Sequence, residues 1–199
     1  MAGDRAPDLV VPVVGFRQWR LIGNALQSLW NGAAWARAEL HAECTVGEHD
    51  PTDVPAKACS CGIYAFYGPC PYTASALTPD LIGGAVILWG SMELHATGMR
   101  AAHARIVGLE LPVSRGRKRR AVIDVAERLS VRAVAHRQLR MVGLEEGLPL
   151  QRSLRPRRDW GAVGTRQPIG VVPRATVSVF KNRQVGREVL HTSCERRRD

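Results

Sequence analysis

No apolar run in this chain is long enough to cross a bilayer. The longest, "LIGGAVILWG" at 81–90, is about half the 20 or so residues that a spanning helix needs. The opening "MAGDRAPDLVVPVVGF" lacks a basic start followed by a long apolar stretch, so no secretory signal is read there. The expectation is a cytoplasmic protein whose thiols are mostly reduced. Enzyme signatures are missing too: there is no phosphate-cradling G-x-x-x-x-G-K-[ST], no H-E-x-x-H and no G-x-S-x-G. No acid–base constellation assembles from the motifs, which points away from catalysis. Acidic residues are scarce in the second half. Residues 1–110 carry 7 Lys or Arg against 10 Asp or Glu, a net −3, whereas residues 111–199 carry 21 against 8, a net +13, giving the formal +10 of the chain. Such asymmetry suits a polyanionic partner for the second half, either nucleic acid or an acidic protein or membrane surface; the alternative is a solvated basic tail.

What is present fits a globular protein. Hydrophobic residues make up 45% of the 199 and charged residues 23%, enough for one ordinary domain or two small ones. The first half reads as strands. "VVGFRQWRLI" (13–22) is β-branched and aromatic, and Gly23-Asn24 supplies a tight turn before "ALQSLW". "AWARAELHAEC" (34–44) alternates with period two over eleven residues, the mark of a half-buried strand. "GGAVILWGSMELH" (83–95) and "MRAAHARIVGLEL" (99–111) flank Ala96-Thr97-Gly98, which predicts a three-residue hairpin loop. That loop would set Trp89 opposite Arg105 and Ser91 opposite His103. His95 and His103 read as ordinary strand residues.

Between these strands lies a stretch of about 35 residues, "TVGEHDPTDVPAKACSCGIYAFYGPCPYTASALTP", whose composition is that of a loop. Either it is mobile or something pins it, and the candidate pins are Cys44, His49, Cys59 and Cys61. Thiolate and imidazole are the donors zinc prefers, and a structural ion could replace a missing core in the loop at 44–70. A Cys-x-Cys pair in an extended strand would aim its thiols at opposite faces. Both reach one ion only if Ser60 sits in a turn, which Gly62 makes easier. Cys70 could replace one ligand, and Cys194 in the basic tail reads as a bystander. Unligated thiols and disulfides are the alternatives. His41, Glu43 and Cys70 also echo the zinc deaminase pattern, H-x-E then P-C-x-x-C, but position 73 is Thr where that pattern needs a third ligand.

"CSCGIYA" followed by "GGAVILWGSMELHATGMRAAHA" resembles a group of uncharacterised actinobacterial and phage proteins. They share C-x-C-G-[IL]-Y-A, a G-x-V-x-L-W-G strand, a Gly-containing turn and a second strand. Here these are Cys59, Cys61, Gly62, Ile63, Tyr64 and Ala65, then Gly84, Val86, Leu88, Trp89 and Gly90, then Gly98 and Arg100. The resemblance covers about residues 10–108 and implies strands and functional cysteines, but no activity.

The second half opens with "SRGRKRR" (114–120), read as solvated and mobile. "AVIDVAERL" (121–129) and "RAVAHRQLRMVGLEEG" (132–147) read as two helices. Together, over 125–147, they resemble a bacterial helix-turn-helix, in which Arg132, His136, Arg137 and Arg140 would face DNA. Ser130 stands where Gly usually makes that turn. The competing reading is a helix pair, or helix–strand–helix, packed on the sheet. From Gln151 onward the sequence is basic and loosely ordered, with one strand-like stretch, "RATVSVFKN".

The expectation is therefore an α+β chain. Residues 1–112 form a mainly-β domain, a small barrel or curled antiparallel sheet of five or six strands. Residues 113–150 form a basic helical segment, and 151–199 a basic extension. The leading functional expectation is a zinc-stabilised nucleic-acid-binding protein. Its candidate contacts are Arg115, Arg117, Lys118, Arg119, Arg120, Arg132, Arg137 and Arg140. The alternative is a protein-interaction adaptor, and a zinc-dependent hydrolase or deaminase is remote.

Overall fold

A computed structural model describes residues 6–156, apart from 30, 45–48, 51–52, 58, 72–73 and 75–77, together with two short strands at 179–181 and 188–190. For residues 6–10 and those two strands the backbone alone is described. The chain is strand-dominated, with two short helices. In order come β1 (Ala6–Ile22), β2 (Ala25–Ser28), β3 (Glu39–His41), β4 (Ile63–Phe66), β5 (Leu81–Leu94), β6 (Gly98–Glu110), α1 (Arg117–Arg128), β7 (Arg132–Val134), α2 (Leu139–Glu146) and β8 (Leu148–Pro149). The chain divides at residues 157/158 into two compact units. In the second, β9 (Val179–Lys181) pairs antiparallel with β10 (Glu188–Leu190). β9 falls within "RATVSVFKN"; the rest of that stretch and most of the basic extension lie outside the described residues.

The long strands β1, β5 and β6 organise the first unit. β1 pairs with β5, β5 with β6, β6 with β4, and β4 returns to β1 through the single pair Phe16–Phe66. The pairing thus closes on itself. Successive side chains on a strand take opposite faces, and both faces here are buried. Val13 and Trp19 of β1, with Val86 and Leu88 of β5, join a cluster that includes Val122, Val125 and Ala126 of α1. Val14, Phe16, Ala85, Ile87 and Val107, pointing the other way, pack against Leu139 and Val142 of α2. Residues 113–150 therefore share the core of the strands.

Gly23-Asn24 makes the two-residue turn expected of it, with Ile22 facing Ala25. Other expectations need correction. Period-two burial holds from Ala38 to Cys44, but regular pairing is confined to Glu39–His41 and an isolated bridge at Ala34. Trp35 breaks the alternation because it turns inward: its Nε1–H donates to Ser28 Oγ at 3.0 Å and its ring meets Trp19 edge-on at 5.4 Å. In the β5–β6 hairpin, Leu94 faces Met99, leaving four residues in the turn. A bulge then admits one extra residue on β5, where Gly90 has φ +77°. Trp89 consequently faces His103 and stacks on it at 5.6 Å, and Arg105 pairs with Ile87 instead.

The larger correction is at the helix-turn-helix. Arg132–Val134 is not helical but a strand running parallel to β6, and α2 begins only at Leu139 after a 3-10 turn. There is no recognition helix across 132–147. The competing helix–strand–helix arrangement is what forms. Ser130 does take the left-handed conformation (φ +55°) that Gly would favour. β8 also joins in parallel, beside β1, so the sheet is not wholly antiparallel. Nor is the basic run all mobile loop, since Arg117–Arg120 form the first turn of α1.

Candidate metal centre

β3 and β4 pair with the same edge of β6, end to end. His41 faces His103, Ile63 faces Ala101, and between them the Ala42 N–H donates to the Ala102 carbonyl at 2.7 Å. The chain thus leaves β6 at residue 42 and rejoins it at residue 63, beside its point of departure. Cys44 follows the exit and Cys59 and Cys61 precede the return, so three thiols stand at the neck of the loop.

The side chains meet there. Cys44 Sγ lies 3.6 Å from Cys59 Sγ, and Cys61 Sγ lies 3.5 Å from His49 Nε2. All four ligand atoms fall within 4.8 Å of one another, and the three cysteines are thiols, not disulfides. This Cys3His group could hold a metal ion. His49 Nδ1 lies 2.9 Å from the Asp50 carbonyl, to which it donates, leaving Nε2 as the acceptor that faces sulfur. Ser60 itself is in no regular turn; the chain bends at Cys59 and at Gly62, on either side of it, and the two thiols converge. The Cys59 N–H donates to the Ala56 carbonyl at 3.1 Å, and Gly62 adopts φ +107°. The Ala56 N–H donates to Cys61 Sγ at 3.3 Å.

The thiols are electrostatically unequal. The Cys61 N–H pulls Cys59 below the usual thiol range, whereas burial pushes Cys61 up. His49 is raised, chiefly by its bond to the Asp50 carbonyl.

Arg100 of β6 holds the neck from beneath and is only 2% exposed. Its guanidinium donates to the carbonyls of Cys59, of Cys61 at 2.8 Å and of Ala56 at 2.9 Å, and it pairs with Glu93 of β5. One buried cation therefore collects three carbonyls of the Cys-x-Cys turn. Only the resemblance drew attention to this residue. The available signal was an arginine between Met99 and Ala101-Ala102 on a strand that reads as mostly buried, because a buried charge requires partners.

No protein family, curated protein or solved structure matches this chain. Its chemistry is read from its own residues. The deaminase set does not gather: His41 lies exposed on β3 beside Glu39 (3.2 Å) and against the His103 ring, and Cys70 is outside the Cys3His group.

The basic candidates fall into two sets. Arg115, Arg119 and Arg120, with Gly116 and Ile123, line a groove at the start of α1, and Arg117 is exposed beside it. Within this set Lys118 Nζ donates to the Leu81 carbonyl at 2.9 Å, and Arg119 donates to the Pro112 carbonyl at 3.0 Å. The second set is dispersed. Arg132 is ion-paired with Glu145 at 2.5 Å, and Arg137 and Arg140 are exposed. His136 turns inward, its Nδ1 3.4 Å from the buried carboxylate of Glu110. Glu110 also accepts the Ala74 N–H at 3.2 Å, joining the end of β6 to two other segments.

Proposed function

We propose that the protein binds nucleic acid through the basic start of α1 and that zinc holds its Cys3His loop. A tetrahedral zinc with sulfur at about 2.3 Å and nitrogen at about 2.0–2.1 Å has S–S edges of about 3.8 Å and S–N edges of about 3.5 Å. The separations of 3.6 and 3.5 Å at the neck agree with those edges. The donor set of three thiolates and one imidazole favours zinc over hard cations such as calcium or magnesium. With all four positions filled by side chains, such a centre is structural.

The observation that carries the nucleic-acid reading is the first turn of α1. Arg117, Lys118, Arg119 and Arg120 occupy it, with no acidic residue among them. Cations at this end oppose the helix dipole and one another, whereas phosphate oxygens would relieve both and accept from the turn's N–H groups. Kinship with the actinobacterial and phage group remains part of this proposal, resting on the residues of the Cys-x-Cys-Gly turn and the β5 strand.

Binding to arbitrary duplex DNA at rising salt tests the reading. Affinity should fall steeply, with the log–log slope reduced by about 0.9 for each phosphate contact removed, as in Arg115→Gln with Arg120→Gln. Absence of binding at low salt refutes it. One feature favours the adaptor reading instead: Met141, Leu144 and Leu148 are 64, 41 and 59% exposed along and just beyond α2. A protein that captures no DNA but whose partner binding is lost with Met141→Ser would establish that alternative.

A further inference from the structure

We propose that Cys44 and Cys59 are a peroxide-sensitive pair, whose oxidation to a disulfide dismantles the metal centre and frees the loop. The inference rests on the metal reading and extends it to regulation of the same site. Its basis is the unequal placement of the ligands. The Cys44 and Cys59 sulfurs lie 3.6 Å apart, and both residues are partly exposed. A disulfide needs about 2.05 Å between sulfurs, so an approach of about 1.6 Å suffices, along an axis that already joins the two strands' ends. Cys61 is the most buried of the four, and its sulfur is engaged by the Ala56 N–H and faces His49. It is therefore the thiol least available to an oxidant.

The oxidant is hydrogen peroxide. One thiolate of the pair attacks the peroxide oxygen, breaking the O–O bond, to give a sulfenic acid and hydroxide. The other thiolate attacks that sulfur, displaces a second hydroxide and forms the S–S bond. Two electrons pass from the two sulfurs to the peroxide, and both hydroxides take up protons to leave as water. Of the four donors Cys61 and His49 then remain, too few for a closed structural site. The neck stays covalently shut by the new disulfide, while His49 and the segment around it lose their anchor. Reduction by a dithiol reverses the step.

The test uses the zinc-loaded full-length protein and hydrogen peroxide. Released zinc is followed with a chromogenic chelator, and thiol loss and cross-links are mapped by peptide mass spectrometry. Two thiols should disappear for each zinc released, with Cys44 linked to Cys59 and Cys61 left reduced. Dithiothreitol with added zinc should restore the starting state. Zinc retained in about a hundred-fold excess of peroxide overturns the proposal, as does a dominant cross-link containing Cys61. Cys61→Ser should keep the cross-link and Cys44→Ser should abolish it. Protein that neither contains nor takes up zinc refutes the metal reading on its own. In that protein the same mapping still decides for or against the thiol pair.

Discussion

Arg100→Met is the most informative single change in this molecule. Methionine fills much of the arginine's volume, so the loss is of charge and hydrogen bonds more than of packing. The native guanidinium is 2% exposed and serves the carbonyls of Cys59, Cys61 and Ala56 while pairing with Glu93. Removing one member of a buried ion pair costs about 3–5 kcal/mol, because the other is stranded. Glu93 keeps 31% of its side chain exposed, so water relieves part of that penalty. The orphaned carbonyls add about 1–3 kcal/mol each where water cannot reach them. The net expectation is a loss of about 3–5 kcal/mol, with metal affinity lowered about 10–100-fold as for other supporting contacts of metal sites. Urea unfolding gives the first quantity and competition with a chromogenic chelator the second. Glu93→Gln should cost less than Arg100→Met, since the arginine keeps its three carbonyls. A loss below about 1 kcal/mol for Arg100→Met, the range of an exposed pair, refutes the claim that this cation fastens the neck.

Gly62→Ala should destabilise by about 1–3 kcal/mol, as expected for a non-glycine residue at φ +107°. The added methyl would also lie 3.0 Å from Pro55 Cβ, so chelator competition should show weakened metal binding; unchanged values on both counts would contradict the turn geometry. Acidification should weaken the fold through His95 and His103, both held below the usual imidazole range chiefly by burial. The unfolded chain then binds more protons just below about pH 6.5, so stability rises with pH through that window and falls as pH drops. Urea midpoints at pH 7.5 and 5.5 should differ, and the difference should shrink when both residues become Gln; an unaltered difference refutes the assignment.

The parts of this structure that local chemistry determines were legible in the sequence. Gly23-Asn24 favours a tight turn, alternation from Ala38 to Cys44 implies one buried face, and Cys44, His49, Cys59 and Cys61 are residue types that could share a metal ion. Long-range geometry was not legible. The register of β5 on β6 depends on a bulge at Gly90, and a glycine in a strand does not announce which way the pairing slips. Residues 132–147 have a helical pattern because Ala133, Val134, Leu139 and Val142 are all partly or fully buried. Yet Arg132–Val134 gains a ladder along β6 that a helix would forfeit. Arg100 stayed inconspicuous because three of its partners are backbone carbonyls, which every residue carries and no motif displays. Within the misread helix, Arg132 pairs with Glu145 and His136 lies against Glu110, contacts that the helical pattern did not display.

The junction of β3 and β4 on β6 has a further consequence. Since the excursion begins and ends at one spot, the sheet is indifferent to how much polypeptide travels outside it. Closure entropy grows only logarithmically, about 0.6 kcal/mol per doubling of the excursion. Residues inserted between Asp50 and Asp53, ahead of the buried Val54 and Ala56, should therefore be tolerated so long as the pinch point survives, making this the natural place for the chain to accept a grafted peptide.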